Sequence, residues 1–572
     1  MNRNNLIYVS IIIIFAFVSY CSSLNYGFTN WDVPSLILEN KRIQTFDLSM
    51  LKNIFTKPTG YDYLPLKELS YAIDYKIWQK NAYGYHLTNL ILYLLMLIVV
   101  YYFSLLITGE RTVSFFGLFL FALHPVHIEP VCWIAGRKDL LSGIFIFLSL
   151  HLFLKYFIEK DKKNSFLFYL LSLFFTILAL MSKPISVLIP FYLVLLLFFK
   201  IGLSESDKKY PYKAIIPHFL LSIFAALLTV IVGIEKTTVK EWTMAKSIEA
   251  VVNYPLLLFW YAKKLFFPFN LSPLYDEADY STLPPLSRIL LFILFVAILC
   301  IILKKCDNFS KFFTSLFVVS FLPVSGVVPI SISKADRYLF IPSFVLLCAA
   351  KFLFEYGEKE ESVFSYKIDR NRKILSASIF FISLLFLLLS VKHSSIWRNS
   401  HSLWEYAASR YPEVSAIRNN LGNVYFEEGK FAKAKLEFLR AISLDEKNWK
   451  AHSNLGEIFK KEGNIDMAIK EFEKALSIND RNEVILTSLG NIYRKKGLVR
   501  ESERLLRDAL AYNEDYFPAY AGLAGTLVAQ RRYDEAKKIL KEAVRRGIAD
   551  RRVDFMLNII ERESAKGDVI KK

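Results

Sequence analysis

The sequence predicts an all-α protein in two parts, a multi-pass membrane helical bundle followed by a soluble α-solenoid. Two observations lead to this prediction. Hydrophobic residues make up 54% of the chain and the mean hydropathy is +0.32, values that are typical of a membrane protein. The apolar segments fill residues 5–391 and then stop, and most of the charged remainder repeats with a period of 34 residues.

The membrane part, residues 1–391, contains about eleven apolar segments, several of them short for a bilayer crossing. They lie at residues 5–24, 86–107, 112–125, 138–158, 165–181, 184–200, 212–233, 285–304, 311–330, 337–356 and 373–391. The pair within 165–200 alternatively forms a re-entrant hairpin. The first segment alternatively serves as a signal peptide, but we favour an uncleaved anchor because Tyr20 is too bulky for a lipoprotein cleavage site.

Lysine and arginine in the loops predict the sidedness. The formal net charge of +18 arises from cations in short loops, so we expect no nucleic-acid partner. Loops after the even-numbered segments should be cytoplasmic, because they carry Lys160, Lys162, Lys163, Lys208, Lys209, Lys213, Lys304, Lys305, Lys311, Arg370, Arg372 and Lys373. With an odd number of segments, loop 25–85 and the C-terminal solenoid then lie on the extracytoplasmic side of a plasma (inner) membrane.

Loop 25–85 is polar and aromatic, and Asn30-Trp31-Asp32 follows the first apolar segment closely. A carboxylate just outside a membrane helix is in reach of a lipid-carried substrate. Asp32 is therefore the candidate catalytic residue, and Trp31 is a candidate for orienting it. The alternative is that Asp32 caps a short loop helix, because Asp is a favoured N-cap residue.

Other ionisable residues at predicted membrane boundaries are functional candidates, because such groups are costly there unless they are paired or hydrated. The segment with His124, His127 and Glu129 lacks the helical i, i+4 spacing of a zinc pair, and its prolines break a helix. We therefore expect these three residues to orient the site and expect no metal. Asp139 and Asp336 are further candidates for orienting the site.

Four cations at outward boundaries are candidates for binding the phosphate of a lipid carrier. Guanidinium and ammonium groups pair strongly with phosphate when they are partly desolvated. The candidates are Arg137, Arg337, Lys183 and Lys138. For Arg137 and Lys138 the alternative is interfacial snorkelling, which is common for cations at the ends of membrane helices.

The 34-residue period identifies tetratricopeptide repeats. Leu421-Gly422 recurs as Leu455-Gly456 and Leu489-Gly490, and small residues alternate with large ones in step. The predicted organisation is a linking helix at 392–414, repeats at 415–448, 449–482, 483–516 and 517–550, and a capping helix with a tail at 551–572.

Repeat arrays of this kind bind peptides on a concave face lined by the first helix of each pair. The predicted lining positions carry Asn419, Asn423, Ser453, Glu457, Thr487 and Asn491. Asn side chains can hydrogen-bond both polar groups of an extended backbone, which suits acceptor proteins or peptides. The alternative is that these residues only form a solvated helix face.

Nearly the whole chain resembles the family of membrane proteins with tetratricopeptide repeats whose animal members are protein O-mannosyltransferases of the endoplasmic reticulum. Besides the repeats, the resemblance rests on Asn30-Trp31-Asp32, Tyr63-Leu64-Pro65-Leu66, Gly84-Tyr85-His86-Leu87, His124-Pro125-Val126-His127-Ile128-Glu129, Gly136-Arg137-Lys138-Asp139, Ser182-Lys183-Pro184 and Asp336-Arg337-Tyr338. The Ser-Lys-Pro turn and the compact size are more similar to the prokaryotic branch.

The resemblance implies a GT-C glycosyltransferase that moves a sugar, mannose or another hexose, from a polyprenyl-phosphate carrier with inversion. Asp32 would then act as general base on a Ser or Thr hydroxyl of an exported protein. No cofactor or metal is implied beyond the lipid-linked sugar donor. The chain departs from the family at Val33, where a second acid is common, and at Leu64, where relatives often have Arg.

The alternative function is a non-catalytic membrane-anchored scaffold whose repeats recruit envelope proteins. A scaffold does not need acids, histidines and cations gathered on one face of the membrane, so the enzyme is favoured. A transporter or lipid flippase is less favoured, because the chain lacks the mid-span charges and internal symmetry of such proteins.

Overall fold

The computed structural model describes residues 3–58, 63–203, 212–235, 243–276, 283–327, 332–359, 365–548 and 552–570. Within these ranges the chain forms helices and turns and no strand, so the all-α prediction is confirmed. The chain divides into two compact units, Met1–Tyr406 and Ala407–Lys572. Lys208 and Lys209, the predicted cytoplasmic lysines, and the last two residues of the fourth predicted repeat lie outside the described residues.

The first unit is a helical bundle joined by short 3-10 turns. Its α-helices are Arg3–Tyr20, Leu48–Thr56, Pro65–Trp78, Ala82–Thr108, Arg111–Leu123, Ile128–Cys132, Arg137–Ile158, Lys162–Leu180, Ile189–Phe198, Ile216–Glu235, Met244–Phe266, Pro285–Lys305, Asn308–Ser320, Leu346–Lys359, Ser365–Ser394 and Ser400–Arg410.

Seven of the described helices are long and apolar enough to cross a membrane, or eight if the bent pair Arg111–Leu123 and Pro125–Cys132 forms one span. The protein is therefore a multi-pass membrane protein. Three of the eleven predicted segments fall instead on shorter apolar helices, Pro184–Phe198, Asn308–Val324 and Pro342–Phe354. The number of crossings stays a prediction, because these helices are short for a bilayer.

The bundle has a packed centre and a lipid-facing periphery. Half or more of the most apolar window is buried in Ala82–Thr108 (50%) and in Ile134–Ile158 (56%). None of the corresponding window is buried in Pro285–Lys305, although its mean hydropathy of 3.0 is the highest of the seven. Such an exposed apolar surface suits contact with lipid, whereas the two more buried helices form the packed centre of the unit.

The two ends of the membrane unit meet beside loop 25–85. The backbone N–H of Gly27, just after the first apolar helix, donates to the carbonyl of Arg398 at 2.9 Å. The N–H of Asn30 donates to the Ser400 hydroxyl at 2.9 Å. The segment that follows the last apolar helix therefore clamps the start of the loop that carries Asp32.

The second unit is a row of antiparallel helix pairs. The pairs are Ser415–Glu427 with Phe431–Leu444, Trp449–Lys461 with Ile465–Ile478, Glu483–Lys495 with Val499–Tyr512, and Phe517–Ala529 with Tyr533–Arg545, followed by Arg552–Ile570. Gly429, Gly463 and Gly497 turn the chain between the helices of the first three pairs at φ of +76°, +79° and +79°. Glycine adopts this left-handed conformation without strain, which explains its place just past each helix end.

Small and large residues interlock within each pair. Phe438 and Phe472 are fully buried, each against a glycine of the partner helix. A Cβ atom added at Gly422 would lie 2.5 Å from the Phe438 ring, and one added at Gly456 would lie 3.0 Å from the Phe472 ring. The glycines therefore let the large rings fill the space between the helices, as the repeat pattern predicts.

Candidate functional site

An indole stack holds the Asn30-Trp31-Asp32 motif in place. The Trp31 ring stacks on Trp133 with centroids 4.4 Å apart and an interplanar angle of 17°, and Trp397 lies near-parallel at 6.2 Å. Trp404 meets Trp31 edge-on at 5.7 Å, and its indole N–H donates to the Asn30 side chain at 2.8 Å. Aromatic pairs of this geometry add to the free energy of burial, so the motif is a rigid part of the membrane unit.

Asp32 follows this stack with its side chain exposed. Its backbone lies at φ +60°, and its carbonyl accepts the N–H of Leu36 at 3.0 Å as the helix Pro34–Leu38 begins. Val33 occupies the N-cap of that helix and no side chain caps it. The Asp32 carboxylate makes no hydrogen bond to any described residue, so capping does not account for it.

Val33 and Leu64, the two positions that depart from the pattern of the family the chain resembles, both carry buried apolar side chains. Val33, where a second acid is common, is fully buried. Leu64 precedes helix Pro65–Trp78 and is 6% exposed. Neither side chain offers a polar group, so neither supplies the second acid or the arginine at these positions.

A buried ion pair lies against the indoles. Arg337 Nη1 contacts Glu129 Oε1 at 2.5 Å, and the Arg337 N–H donates to Glu129 Oε2 at 3.0 Å. The Arg337 guanidinium carbon lies 5.5 Å from the Trp31 ring centroid, 5.6 Å from that of Trp133 and 5.2 Å from that of Tyr338. Glu129 and Arg337 therefore form one structural group with the motif that carries Asp32.

Asp336 is anchored by a different segment. It accepts the N–H of Ser272 at 3.0 Å and the Tyr275 hydroxyl at 2.7 Å. Burial is the main cause that raises the pKa of the Asp336 carboxyl to about 7. The Glu129 carboxylate also raises this pKa, whereas Lys264 and the two hydrogen bonds lower it. Asp336 is thus a buried acid that titrates near neutrality.

The predicted cations Lys183 and Lys138 also lie in this region. Lys183 Nζ forms a buried ion pair with Asp139 and lies 5.5 Å from the Tyr338 ring centroid. Lys138 is half-buried, with Nζ 5.7 Å from the Trp133 ring centroid. Arg337 and Lys138 therefore both approach Trp133, and Arg337 and Lys183 both approach Tyr338.

Arg137 is held away from this group by partners of its own. Its side chain is fully buried and ion-paired to Asp74 at 2.5 Å. Its nitrogens also donate to Asn89 Oδ1 at 2.8 Å and to the carbonyls of Ser70 at 3.2 Å and Tyr85 at 3.0 Å. These contacts join helix Pro65–Trp78 of loop 25–85 to helix Ala82–Thr108. They favour a positioning role for Arg137. A carrier-phosphate role for Arg137 stays a prediction.

The two histidines contact protein groups. His124 Nε2 lies 2.7 Å from the carbonyl of Leu265. His127 lies within hydrogen-bonding distance of the Tyr93 hydroxyl at 2.8 Å and of the Ser343 hydroxyl at 2.9 Å. Such contacts fix the bend that presents Glu129. Among the described residues, no three His, Cys, Asp or Glu side chains are arranged to hold a metal ion.

A small cleft opens beside the ion pair. Its lining residues are Pro125, Ile128, Glu129, Leu271, Ser272, Asp336, His393, Ile396 and Trp397. The Ser272 hydroxyl is buried there without a hydrogen-bond partner among the described residues. The cleft brings together the carboxyl groups of Glu129 and Asp336 beside an indole of the stack.

Sequence reasoning missed several residues of this site. Trp133 and Trp397 complete the stack, and Ser272 and Tyr275 hold Asp336. The tryptophans had one detectable signal, because the large aromatic residues Trp397 and Trp404 are unusual in a short linker of a membrane protein. Ser272 and Tyr275 carry no signal of their own in the sequence.

The predicted acceptor groove lies on the first helices of the pairs. Asn419 and Asn423 lie on Ser415–Glu427, Ser453 and Glu457 on Trp449–Lys461, and Thr487 and Asn491 on Glu483–Lys495. Asn419 and Thr487 are buried, and the other four are half-buried. Asn419 accepts a hydrogen bond from Asn454 at 2.9 Å, and Glu457 accepts one from Ser488 at 2.8 Å. A role for these residues in acceptor binding stays a prediction.

Comparison with known proteins gives matches to both units. Family profiles described as TPR repeat or tetratricopeptide repeat match residues 422–463, 449–482 and 494–553. The crystal structure of a thermophilic TPR protein of Thermus thermophilus is 17% identical and matches 31% of this chain and 94% of its own, with a TM-score of 0.26.

Two relatives that are both named as protein O-mannosyl-transferases match most of the chain. A protein O-mannosyl-transferase of Caenorhabditis elegans is 28% identical over 477 residues, which are 77% of this chain and 63% of that protein. The Homo sapiens protein O-mannosyl-transferase TMTC3 is 24% identical over 503 residues, 79% of this chain and 53% of that protein. The chain spans less than two thirds of the length of these relatives. In these matches, in its multi-pass membrane unit and in its repeats, the chain is similar to the transmembrane and tetratricopeptide-repeat proteins that are named protein O-mannosyl-transferases.

Proposed function

We propose that the chain is a membrane glycosyltransferase that moves a hexose, foremost mannose, from a polyprenyl-phosphate carrier to Ser or Thr hydroxyls of exported proteins. The relatives' names support this reaction class. The single structural observation that carries the proposal is the Asp32 carboxylate, which is exposed, without a described partner, and fixed beside an indole stack and a buried ion pair.

In the proposed reaction the Asp32 carboxylate accepts the proton of the acceptor hydroxyl. The hydroxyl oxygen attacks the anomeric carbon while the bond from that carbon to the carrier phosphate breaks, so the phosphate leaves with the bonding electrons. Attack opposite the leaving group inverts the anomeric centre. A positioned general base contributes about 10²–10⁴ in rate, so Asp32 is essential but does not supply the whole acceleration.

Arg337 and Lys138 are the cations best placed to hold the carrier phosphate. Both approach the Trp133 ring, at 5.6 Å and 5.7 Å, and Trp133 stacks on the residue before Asp32. A phosphate between them would bring the anomeric carbon close to the base, and positioning of this kind lowers the barrier by several kcal/mol. Lys183 is a further candidate, and like Arg337 it is buried and paired with a carboxylate, that of Asp139.

The Lys138 role gives a direct prediction. Lys138→Gln should weaken binding of the lipid carrier by about tenfold or more, because a charge-assisted hydrogen bond contributes roughly 1.5–3 kcal/mol. The measurement is titration of the purified protein with a short-chain polyprenyl-phosphate sugar. Lys76→Gln is the matched control, because Lys76 is an exposed cation of the same loop. Equal carrier affinity in wild type and Lys138→Gln would remove Lys138 from the site.

We propose that the Asp32 loop and the repeats lie on the extracytoplasmic side. The loop cations support this orientation, and the contact between Gly27 and Arg398 supports a shared side for the loop and the segment leading to the repeats. Labelling of single cysteines placed at exposed Glu39 and at exposed Arg504 with a membrane-impermeant reagent tests it. Labelling of the two positions from opposite sides would contradict the proposal.

The cellular test of the reaction is mass spectrometry of envelope proteins from cells with and without this protein. The proposal predicts hexose additions of about 162 Da per Ser or Thr, the mass of one dehydrated hexose, which disappear when the protein is absent. Identical glycopeptide profiles in both strains would contradict it and would favour the scaffold function.

A further inference from the structure

The backbone around Asp32 forms a three-residue γ-turn. The N–H of Val33 donates to the carbonyl of Trp31 at 2.8 Å, and Asp32, which lies between them, has a φ of +60°. A γ-turn whose central residue has a positive φ is rare and strained. Strained backbone of this kind persists only where the surrounding structure holds it, so the position of the Asp32 carboxylate depends on what supports the turn.

Trp133 supports this turn by a hydrogen bond as well as by stacking. Its indole N–H donates to the Trp31 carbonyl at 3.2 Å, and that carbonyl oxygen is the one that closes the turn. Trp133 is itself 1% exposed and lies in the short break between helix Ile128–Cys132 and the turn Ile134–Gly136. The support that Trp133 gives therefore depends on how this break is held.

Asn89, on the apolar helix Ala82–Thr108, holds the break. Its amide nitrogen lies 3.1 Å from the carbonyl oxygen of Trp133 and 3.4 Å from those of Val131 and Ile134. Carbonyls at the end of a helix lack partners within that helix, and the amide of the fully buried Asn89 donates to them. One side chain thus fixes three neighbouring positions of the break.

Arg137 fixes the orientation of this amide. The Arg137 Nε–H donates to Asn89 Oδ1 at 2.8 Å, and Arg137 is itself held by its buried ion pair with Asp74. A guanidinium can only donate hydrogen bonds, so the amide oxygen faces Arg137 and the amide nitrogen faces the carbonyls. Both polar atoms of the Asn89 side chain are therefore bonded, which offsets the cost of burying an amide among apolar residues.

We propose that Asn89 is a positioning residue for the Asp32 carboxylate and acts through Trp133. The Asn89 amide fixes the Trp133 backbone, the Trp133 indole fixes the Trp31 carbonyl, and that carbonyl closes the turn from which Asp32 projects. The inference rests on the proposed function only in taking Asp32 as the general base. The support of the turn can be measured without any sugar donor.

Two variants remove successive contacts of this chain. Trp133→Phe keeps an aromatic ring for stacking and removes the indole N–H, so kcat should fall about 3- to 10-fold, as expected for one neutral hydrogen bond. Asn89→Leu removes the amide with little change in volume. A displacement of a catalytic group by about 1 Å costs about 10²-fold in rate, so we expect a fall of that size in kcat. KM for carrier and acceptor should stay unchanged in both.

Ser104→Ala is the matched control. Ser104 is a fully buried polar residue of the same helix, and its hydroxyl donates to the carbonyl of Tyr101 within that helix at 2.8 Å. This variant therefore removes a buried hydrogen bond without touching the break at Trp133, and its kcat should equal that of the wild type.

Hydrogen–deuterium exchange of the full-length protein in lipid nanodiscs measures the turn directly. The N–H groups of Val33 and Leu36 are hydrogen-bonded in and beside the turn. The peptide covering residues 28–40 should therefore exchange faster in Trp133→Phe and in Asn89→Leu than in the wild type or in Ser104→Ala. Unchanged exchange of peptides from the distant helix Pro285–Lys305 verifies that the variants are folded.

The Asp32→Asn background separates positioning from loss of folded protein. If Asn89 acts through Asp32, then Asn89→Leu and Trp133→Phe should leave the residual transfer rate of Asp32→Asn unchanged. A loss of folded protein would instead lower the rate by the same factor in both backgrounds.

Faster exchange at residues 28–40, together with a fall in kcat that disappears in the Asp32→Asn background, supports the proposal. Unchanged exchange in both variants, wild-type kcat in both, or an equal fall of kcat in the two backgrounds overturns it. If the wild type transfers no sugar, the proposed function fails, and exchange at residues 28–40 alone decides whether Asn89 holds the turn.

Discussion

At the residue scale, the turn at Asp32 separates what is packed from what is exposed. The left-handed φ of +60° is a conformation that Asp adopts more readily than most residues. Around this turn Trp31 stacks on Trp133 and Val33 is fully buried, while Asp32 remains exposed. The backbone therefore holds the exposed Asp32 carboxylate on a rigidly packed turn. A general base must be positioned in this way.

The Glu129–Arg337 pair is expected to be structural as well as functional. Glu129→Ala leaves the Arg337 guanidinium buried and unpaired, a change that typically costs about 3–5 kcal/mol. We expect a clear fall in the thermal unfolding midpoint of the purified protein in detergent. Glu39→Gln, which changes an exposed acid of loop 25–85, is the control. An unchanged midpoint for Glu129→Ala would show that the pair is not needed for stability.

The raised pKa of Asp336 predicts that the stability of the folded protein depends on pH. Burial raises its pKa from 3.8 to about 7, so the folded protein holds a proton that the unfolded chain has already released over this range. The contribution of Asp336 to stability should therefore fall as pH rises from about 4 to about 7, by at most about 1.4 kcal/mol per pH unit, and level off above that.

The measurement is the unfolding midpoint of wild type and Asp336→Asn at pH 5, 6, 7 and 8. The advantage of wild type over the variant should decrease from pH 5 to 7 and then stay constant. A difference that does not change between pH 5 and 7 would contradict a raised pKa for Asp336.

The sequence predicted which side chains gather here better than it predicted their partners. Asp32, Arg337 and Lys183 were identified from their places at membrane boundaries. The bond between Asn30 and Trp404 joins residues 374 positions apart, and no local pattern encodes such a contact. The same limit applies to Arg137, because its charge is visible in the sequence but the buried Asp74 that pairs with it is not.

At the element scale, the repeats were predictable because their information is local. A period of 34 residues gives the helix pairs, and glycine positions give the close contacts between helices. The membrane helices were predictable by hydropathy, and Pro125 and Pro130 predicted a helix break, but the angle of 55° between Arg111–Leu123 and Pro125–Cys132 was not predictable. Hydropathy does not indicate the angle at which two helices meet. That angle depends on the contacts of the buried His124 and His127 with residues that are distant in sequence.

Glycine variants test the packing of the helix pairs. A methyl added at Gly422 would meet the Phe438 ring at 2.5 Å, so Gly422→Ala should destabilise the repeats by about 1–3 kcal/mol. Gly525→Ala is the control, because its methyl would meet its nearest atom, in the Arg494 side chain, at an ordinary 3.5 Å. Thermal unfolding monitored by circular dichroism compares the two. Equal midpoints would contradict the overpacking argument.

At the scale of the whole molecule, the first unit is expected to carry out sugar transfer and the second unit to bind acceptor proteins. Every candidate for proton transfer and phosphate binding lies within Met1–Tyr406, and the predicted acceptor-groove residues lie within Ala407–Lys572. Trp397 and Trp404 belong to the first unit, since they complete the stack around Trp31. The boundary of the catalytic unit is therefore expected to lie after Trp404, within the predicted linking helix 392–414.

Two truncations test this division. A chain ending at Tyr406 should still transfer sugar to small soluble acceptors but should lose whole proteins as substrates. A chain ending at residue 391 should lose both activities, because it lacks Trp397 and Trp404, two of the three tryptophans that pack on Trp31. The measurement is initial rate against acceptor concentration. Full activity toward small acceptors in the shorter chain would show that the stack is dispensable.

The most direct test of the central claim is sugar transfer by Asp32→Asn in a purified system with a lipid-linked hexose and a Ser/Thr peptide. We expect a rate about 10²–10⁴ below wild type with unchanged carrier binding and unfolding midpoint, because only the base is lost. Glu39→Gln, an exposed acid of the same loop, should transfer at the wild-type rate. Wild-type turnover by Asp32→Asn would contradict the role of Asp32 as the catalytic base.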